Sequence, residues 1–177
     1  MDRSTAQAAT SGSRVSLGPD ETLSLGIRIG AAATPGAVIA LVGELGAGKT
    51  QLAKGVAGGL GVTSVVNSPT FVLMNEHVGR LRLYHVDAYR LGDPEEAAAA
   101  GLLDDRQADG VTVIEWADRL EGWLPEARLV IRLVAPGAEP GAEPGAEPGA
   151  EPTTRLLSWV AHGPMHERLA AEALATP

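Results

Sequence analysis

A glycine-rich octapeptide, GELGAGKT at residues 43–50, restricts the fold of this chain more than any other part of its sequence. A continuous apolar run at residues 37–42 precedes it and is typical of a strand buried on both faces of a parallel sheet. A helical pattern from about Lys49 to Leu60 follows it, and Gly61 ends that helix. Glycine loses more conformational entropy on folding than any other residue, so this cluster indicates that another group approaches the backbone closely.

The octapeptide satisfies the phosphate-loop pattern G-x-x-x-x-G-K-[ST] at every fixed position. In such loops the backbone N–H groups point at phosphate oxygens, and the N-terminus of the following helix favours an anion. Lys49 is expected to reach the β- and γ-phosphates, and the Thr50 hydroxyl is expected to bind Mg²⁺. The predicted nucleotide-binding residues of the loop are Gly43, Glu44, Leu45, Gly46, Ala47, Gly48, Lys49 and Thr50.

Two acidic residues stand at the ends of apolar strand patterns. Asp87 ends the segment RLYHVD, and Glu115 ends VTVIE. Because open α/β sheets bind ligands at the carboxyl ends of their strands, both carboxylates are candidate ligands of the magnesium ion. Either acid taken alone could instead be a helix cap or a solvated loop residue. His85 is expected to share the face of Asp87, with packing or a hydrogen bond rather than a metal as its role.

Strand and helix patterns continue along the rest of the chain. A short strand is predicted at residues 14–17 and a helix from Pro19 to the stop signal Pro35-Gly36. Two segments flanking Val78-Gly79 predict a hairpin or two neighbouring strands. The segment DPEEAAAAGLL predicts a helix that Asp93 caps. Near the C-terminus, RLVIRLV and TRLLSWV alternate well enough to form an antiparallel pair.

Four tandem copies of Pro-Gly-Ala-Glu separate this last pair, at residues 136–152. A proline at every fourth residue is incompatible with a helix, and the unit has no side chain that can build a core. We interpret the repeat as a solvated spacer loop. Residues 1–13 are small and polar and are predicted to form a disordered tail. The expected organisation is therefore a tail at 1–13 and a single domain at 14–177.

Composition excludes several classes of protein. The 177 residues contain no cysteine, which rules out disulfides, thiolate metal sites and a cysteine nucleophile. No run of 18 apolar residues occurs, so no membrane span is expected, and the first dozen residues do not resemble a secretory signal. The formal net charge of −8 argues against a large nucleic-acid footprint. These features favour a cytoplasmic protein in which any RNA is held by a partner.

Four ordered segments resemble the TsaE family, also called YjeE. They are GELGAGKT, NSPTF, LYHVDAYRL followed by DPEE, and VIEWADR with LP just after it, and the resemblance runs from Thr22 to Leu133. It implies a P-loop NTPase-like three-layer α/β sandwich, with a mostly parallel sheet and an antiparallel edge. It also implies binding of ATP and Mg²⁺, slow ATP hydrolysis, and action with the partners TsaB and TsaD in threonylcarbamoyladenosine modification of tRNA beside the anticodon.

The resemblance assigns further roles by position. Lys49 and Thr50 would hold phosphates and magnesium, and Thr70 would lie in a switch-like loop near the γ-phosphate. Asp87 would be the acid on the metal side, and Glu115 the acid nearest the metal and the attacking water. The resemblance places Trp116 near the nucleotide, and Thr22 and Arg155 near the nucleotide base. Trp116 could instead be a core or interface tryptophan. The chain departs from the family in its tail, in its repeat and in Phe71, where tyrosine is common.

Two other functions fit the same loop. A small P-loop kinase would transfer the phosphoryl group to a small molecule, although no second arginine cluster typical of a kinase lid stands out. A nucleotide-sensing module would bind without turnover, although a glutamate placed to orient water argues against it.

Overall fold

The computed structural model describes residues 10–69, 73–91, 101, 105–135 and 153–175. Within these ranges seven strands form one sheet in the order β1-β7-β6-β2-β5-β4-β3. The strands are β1 Thr10–Ser16, β2 Val38–Val42, β3 Met74–His77, β4 Leu83–Asp87, β5 Val111–Glu115, β6 Arg128–Val134 and β7 Arg155–His162.

The four central strands β6, β2, β5 and β4 are parallel to one another. Strand β7 is antiparallel to β6, β1 is antiparallel to β7, and β3 is antiparallel to β4. The predicted α/β fold, with a mostly parallel sheet and an antiparallel edge, is therefore confirmed. The sheet in fact has antiparallel pairing at both edges, because the segments around Val78-Gly79 form the hairpin that joins β3 to β4.

Three α-helices lie in the described ranges: α1 Pro19–Ala32, α2 Lys49–Gly59 and α3 Pro164–Ala173. Helices α1 and α3 both begin at a proline, whose fixed φ suits the first helical position and which has no N–H to leave unpaired there. The first two helices agree with the sequence prediction, whereas α3 was not predicted. Two short 3₁₀ helices, η1 Asp105–Asp109 and η2 Ala117–Leu120, flank strand β5.

Strand β2 is buried on both faces, as its apolar run predicted. Ile39 and Leu41 contribute to a large core that the three helices close against the sheet. Ala40 and Val42 point to the opposite face and join a smaller core that includes Ala117 of η2. The loop that follows β2 is thus attached to a strand held on both sides.

Helices α1 and α2 contact each other backbone to backbone through glycines. A Cβ added at Gly26 would lie 2.4 Å from the carbonyl oxygen of Leu52, and one at Gly55 would lie 2.3 Å from that of Leu23. Such distances leave no room for a side chain, so glycine is required there for close approach rather than for a turn. This contact sets the position of α2, whose N-terminus carries the glycine-rich loop.

The predicted tail is too long by four residues. Strand β1 begins at Thr10 and pairs with β7 from its first residue, so residues 10–13 belong to the sheet. The strand was not predicted here because residues 10–13 are small and polar and show no apolar alternation, and because the pairing partner is far away in the sequence. Residues 1–9, Thr70, the predicted helix at 93–103 apart from Gly101, and the repeat at 136–152 lie outside the described residues.

Candidate nucleotide site

A cavity of about 470 Å³ opens where the central strands end. Its walls include loop residues 45–50, both strand-end acids and the tryptophan that follows β5. The predicted site residues in these walls are Leu45, Gly46, Ala47, Gly48, Lys49, Thr50, Asp87, Glu115 and Trp116. The carboxyl ends of parallel strands are the ligand-binding edge of open α/β sheets. The structure therefore brings most of the predicted site residues together at the expected edge.

Each of the three loop glycines has a positive φ, at 154° for Gly43, 75° for Gly46 and 104° for Gly48. Residues that carry a side chain rarely adopt such backbone angles, which accounts for glycine at these positions. At Gly43 a second reason applies, because an added Cβ would lie 2.4 Å from the carbonyl oxygen of Leu133 in β6. The sequence predicted that a phosphate lies close to the backbone of the loop glycines. At Gly43 the group that lies close to the backbone is the neighbouring strand β6.

The Lys49 side chain is buried at the start of α2. Its ammonium donates hydrogen bonds to the carbonyl oxygens of Gly43 at 2.7 Å and Glu44 at 2.8 Å. The same Nζ lies 3.6 Å from the ring centroid of Trp116, which is a cation–π contact. Burial lowers the pKa of Lys49, and the carboxylate charge of Glu115 is the largest of the effects that oppose this shift. Gly43 and Glu44 thus contact the lysine through their carbonyls rather than forming walls of the cavity.

Thr50, Glu115 and His85 form a hydrogen-bonded chain. The Thr50 hydroxyl donates to Glu115 Oε2 at 2.8 Å, and His85 Nε2 lies 2.8 Å from Glu115 Oε1. Glu115 is 2% exposed and His85 is fully buried. Both carboxylate oxygens are therefore engaged. His85 was predicted to serve either packing or a hydrogen bond to a neighbour, and the structure shows the hydrogen bond.

Asp87 lies beside Glu115 across two parallel strands, since the two residues are register partners of β4 and β5. The Ser68 hydroxyl donates a hydrogen bond to Asp87 Oδ2, and the Tyr89 N–H donates to Oδ1 at 2.9 Å. Ser68 was not predicted as a site residue, although it stands in the quoted segment NSPTF. Thr70, two residues further on, lies outside the described residues.

Trp116 has a left-handed backbone, with a φ of 58°, and is the one non-glycine residue with positive φ in the described ranges. Such a backbone is uncommon for a bulky residue and often marks a functional site. Its ring lies 4.9 Å from that of Tyr89, and the Arg119 guanidinium carbon lies 5.2 Å from the Tyr89 ring centroid. Tyr89 also forms part of the cavity wall and was missed as a site residue, although it lies in the quoted segment LYHVDAYRL.

Thr22 and Arg155 lie outside the described wall of the cavity, and Arg155 contacts the loop. Arg155 donates from Nε to the carbonyl oxygen of Ala47 and from Nη2 to that of Gly46, both at 3.2 Å. The hydroxyl of the buried Thr22 lies 2.8 Å from that of Ser16. Neither residue is among the described walls of the cavity. Their placement near the nucleotide base therefore stays a prediction. The contacts that the structure shows are those of Arg155 with the loop carbonyls and of Thr22 with Ser16.

Comparison with known proteins decides the family. Residues 17–140 match the family described as "Threonylcarbamoyl adenosine biosynthesis protein TsaE". The chain belongs to the TsaE family. It is 45% identical over 120 residues to the Bacillus subtilis tRNA threonylcarbamoyladenosine biosynthesis protein TsaE, covering 67% of this chain and 75% of that protein. It is 41% identical over 119 residues to the Treponema pallidum protein of the same name, covering 67% and 88% respectively.

A solved structure supports membership of the TsaE family. The chain superimposes on the crystal structure of Bacillus subtilus YdiB with a TM-score of 0.72 and 31% sequence identity. The superposition covers 95% of this chain and 97% of that one. The resemblance inferred from the four motifs is thus confirmed, together with the α/β fold. In the described ranges no helix has the length and apolar character needed to cross a membrane.

The oxygen atoms of this TsaE family member suit magnesium. Thr50 offers a hydroxyl, and Asp87 and Glu115 offer carboxylates, all hard oxygen donors. The described residues contain no cluster of three or more His, Cys, Asp or Glu that could enclose a metal by itself. Magnesium is commonly held by one or two carboxylates together with substrate phosphates, so this small donor set fits Mg²⁺ bound with a nucleotide.

Proposed function

We propose that this chain binds and hydrolyses ATP with Mg²⁺ in support of threonylcarbamoyladenosine modification of tRNA. The observation that carries the proposal is the meeting of Lys49, Thr50 and Glu115 in one cavity at the phosphate-loop motif. A phosphate-binding cation, a metal-binding hydroxyl and a water-orienting acid are the parts that phosphoryl transfer requires. Membership of the TsaE family supplies the pathway.

ATP binding would rest on the loop and on Lys49. The N–H groups at the start of α2 lack intrahelical partners and favour an anion, which suits the β- and γ-phosphates. The Lys49 side chain forms part of the cavity wall, and its ammonium donates hydrogen bonds to the carbonyls of Gly43 and Glu44. It would exchange these neutral acceptors for charged phosphate oxygens, which form stronger hydrogen bonds.

Thr50 and Asp87 are the residues that we expect to hold Mg²⁺, with Glu115 beside them. The bound ion would neutralise the charge of the β- and γ-phosphates. The register pairing of Asp87 with Glu115 places the two carboxylates side by side at one sheet edge. Together with Thr50 they would face one side of the triphosphate.

Glu115 is the residue that we expect to orient the attacking water. The water oxygen would bond to the γ-phosphorus while the bond from that atom to the β–γ bridging oxygen breaks. The proton that the water loses would pass to the Glu115 carboxylate, and ADP and phosphate would leave. Because Glu115 is almost completely buried, its interaction with the reacting groups is weakly screened by solvent.

Partners would complete the activity. Ser68 ties the start of the switch-like segment to Asp87, and Thr70 in that segment is expected to approach the γ-phosphate. TsaB and TsaD are the proposed partners, and contact with them would hold this segment against the γ-phosphate and accelerate hydrolysis. The net charge of −8 favours tRNA contact through these partners rather than directly, in the cytoplasm where tRNA is modified.

Single-turnover hydrolysis of ATP tests the proposal. We expect slow phosphate release by the chain with Mg²⁺ and faster release with the cognate TsaB–TsaD pair at saturating concentration. A flat rate while the complex demonstrably forms would contradict activation by partners. Transfer of the phosphoryl group to an added small-molecule acceptor, with no free phosphate, would instead indicate a kinase. ATP binding without either outcome would indicate a nucleotide sensor.

A further inference from the structure

His85 lies in the middle of strand β4, fully buried beneath the candidate site. Its Nε2 is 2.8 Å from Glu115 Oε1, which is its one hydrogen-bond contact among the described residues. The other ring nitrogen, Nδ1, is buried without a partner in the same part of the chain. His77 and His166 also have one bonded ring nitrogen and one buried ring nitrogen without a partner, so this pattern alone does not distinguish His85. What distinguishes His85 is that its hydrogen-bond partner is Glu115, the acid of the candidate site.

The sheet register explains why the two side chains meet. Across β4 and β5, His85 is paired with Val113 and Asp87 with Glu115. Alternate residues of a strand point to the same face, so His85 shares its face with Asp87, and Glu115 lies diagonally opposite the histidine. The imidazole thus reaches the carboxylate from the interior of the sheet, while Glu115 itself forms part of the cavity wall.

The chemistry of His85 and Glu115 shows which of the two side chains donates their hydrogen bond. An ionised carboxylate only accepts hydrogen bonds, so the His85 ring donates from Nε2 to Oε1. The Thr50 hydroxyl donates to the other oxygen, Oε2. One donor on each oxygen fixes both the position and the plane of the carboxylate. A carboxylate offers about four lone-pair directions, so two remain for a water or a metal in the cavity.

We propose that His85 is a positioning residue that holds the Glu115 carboxylate for its work on the attacking water. The proposal rests on the hydrolytic function proposed above and adds to it the residue that orients the acid. Histidine does not contact ATP in this scheme. Its loss would leave Glu115 held by Thr50 alone, and a carboxylate free to rotate about its last bond would orient water poorly.

Kinetics of His85→Leu, His85→Gln and a matched control test this role in the full chain. In His85→Leu we expect kcat for ATP hydrolysis to fall about 10- to 100-fold, the usual effect of losing a partner that orients a site ligand. ATP affinity by calorimetry should change less than about threefold, because the one hydrogen bond described for His85 is to Glu115 and not to the loop. His85→Gln, whose amide can donate from a similar position, should recover most of kcat.

The control is His166→Leu. His166 is equally buried, on helix α3, and its Nε2 accepts a hydrogen bond from the Val38 N–H at 3.0 Å. This substitution should lower the melting temperature and leave kcat unchanged, which separates a general packing effect from an effect on Glu115. A folded His85→Gln as inactive as His85→Leu would overturn the positioning role.

A spectroscopic measurement tests the contact without activity. In ¹⁵N spectra the His85 ring should carry a proton on Nε2, the nitrogen that contacts Glu115, and that proton should exchange slowly with water. In Glu115→Ala the slow exchange should be lost. A His85 ring that carries its proton on Nδ1, or that is unaffected by Glu115→Ala, would overturn the proposal.

The outcomes separate this proposal from the proposed function. If the wild-type chain with its partners releases no phosphate, the hydrolytic function fails and the role of His85 fails with it. If the wild type hydrolyses ATP, Glu115→Ala abolishes hydrolysis and His85→Leu retains full kcat, the role of His85 alone is wrong.

Discussion

The Thr50 hydroxyl donates a hydrogen bond to Glu115 at 2.8 Å, which ties the first turn of helix α2 to the end of strand β5. The two residues are 65 positions apart in the sequence. Through this bond the phosphate-loop motif and the segment VIEWADR, which contains Glu115, become parts of one site. The roles proposed for Lys49, Asp87 and Glu115 in this site can be tested one residue at a time.

Replacing Lys49 by alanine should weaken ATP binding about 10- to 100-fold. A hydrogen bond to a charged group contributes roughly 1.5–3 kcal/mol, which corresponds to that range of affinity. Isothermal titration calorimetry measures the effect. Lys54→Ala is the matched control, because Lys54 lies exposed on the same helix, and it should bind ATP like the wild type. Equal affinities in the two variants would contradict the assignment of the phosphate site.

Replacing Glu115 by alanine should reduce ATP hydrolysis about 100-fold or more while ATP affinity changes little. A group that orients or deprotonates the attacking water acts in the transition state, and general bases contribute roughly 10²- to 10⁴-fold. Single-turnover rates measure the effect on hydrolysis, and calorimetry measures the effect on ATP affinity. The exposed Glu121 provides the control substitution, which should leave both quantities unchanged.

Replacing Asp87 by alanine should raise the Mg²⁺ concentration needed for half-maximal hydrolysis. The physical reason is the loss of a hard oxygen ligand, which saturating metal can partly offset. A magnesium titration of the hydrolysis rate measures this shift. If Asp87→Ala and Glu115→Ala give the same pattern of binding and turnover, the two roles have been divided wrongly.

Replacing Gly26 by alanine should destabilise the fold by about 1–3 kcal/mol. The new methyl would lie 2.4 Å from the Leu52 carbonyl oxygen, so the two helices would have to separate, and such overpacking typically costs that amount. Urea denaturation measures the free energy of unfolding. Gly58→Ala is the control on α2, since its methyl would meet only the Ile27 side chain at 3.5 Å. It should be neutral or stabilising by up to about 1 kcal/mol.

Stability should fall as pH decreases below about 6.5, partly because of His166. Burial lowers the pKa of His166 below that of an unfolded histidine, near 6.5. The unfolded chain therefore binds a proton that the folded chain does not, so this contribution to stability is present above pH 6.5 and is lost on acidification, by at most about 1.4 kcal/mol per pH unit. Denaturation between pH 7 and 5 should show a shallower loss for His166→Gln. If the free energy of unfolding falls equally with decreasing pH in the wild type and in His166→Gln, His166 is not the source of this pH dependence.

Local patterns in the sequence were sufficient for the loop and most of its surrounding elements. The Gly43 to Thr50 motif, the run before it and the helix after it depend on residues close together in the chain, so their structures follow from local sterics and hydrophobic periodicity. Helix α3 was missed although Pro164 stands at its first position, a start signal that the sequence does contain. Strand β1 was predicted too short because its polar residues show no apolar alternation.

The sequence by itself determined which residue types stand at which strand ends, including Asp87 after β4 and Glu115 after β5. Only the tertiary structure decided that these strands are neighbours, that His85 reaches Glu115, and that Arg155 contacts the loop carbonyls rather than the cavity. Strand order and register arise from contacts between residues far apart in the chain. A periodic pattern shows which side of a strand is buried, but it does not show which strand lies next to it.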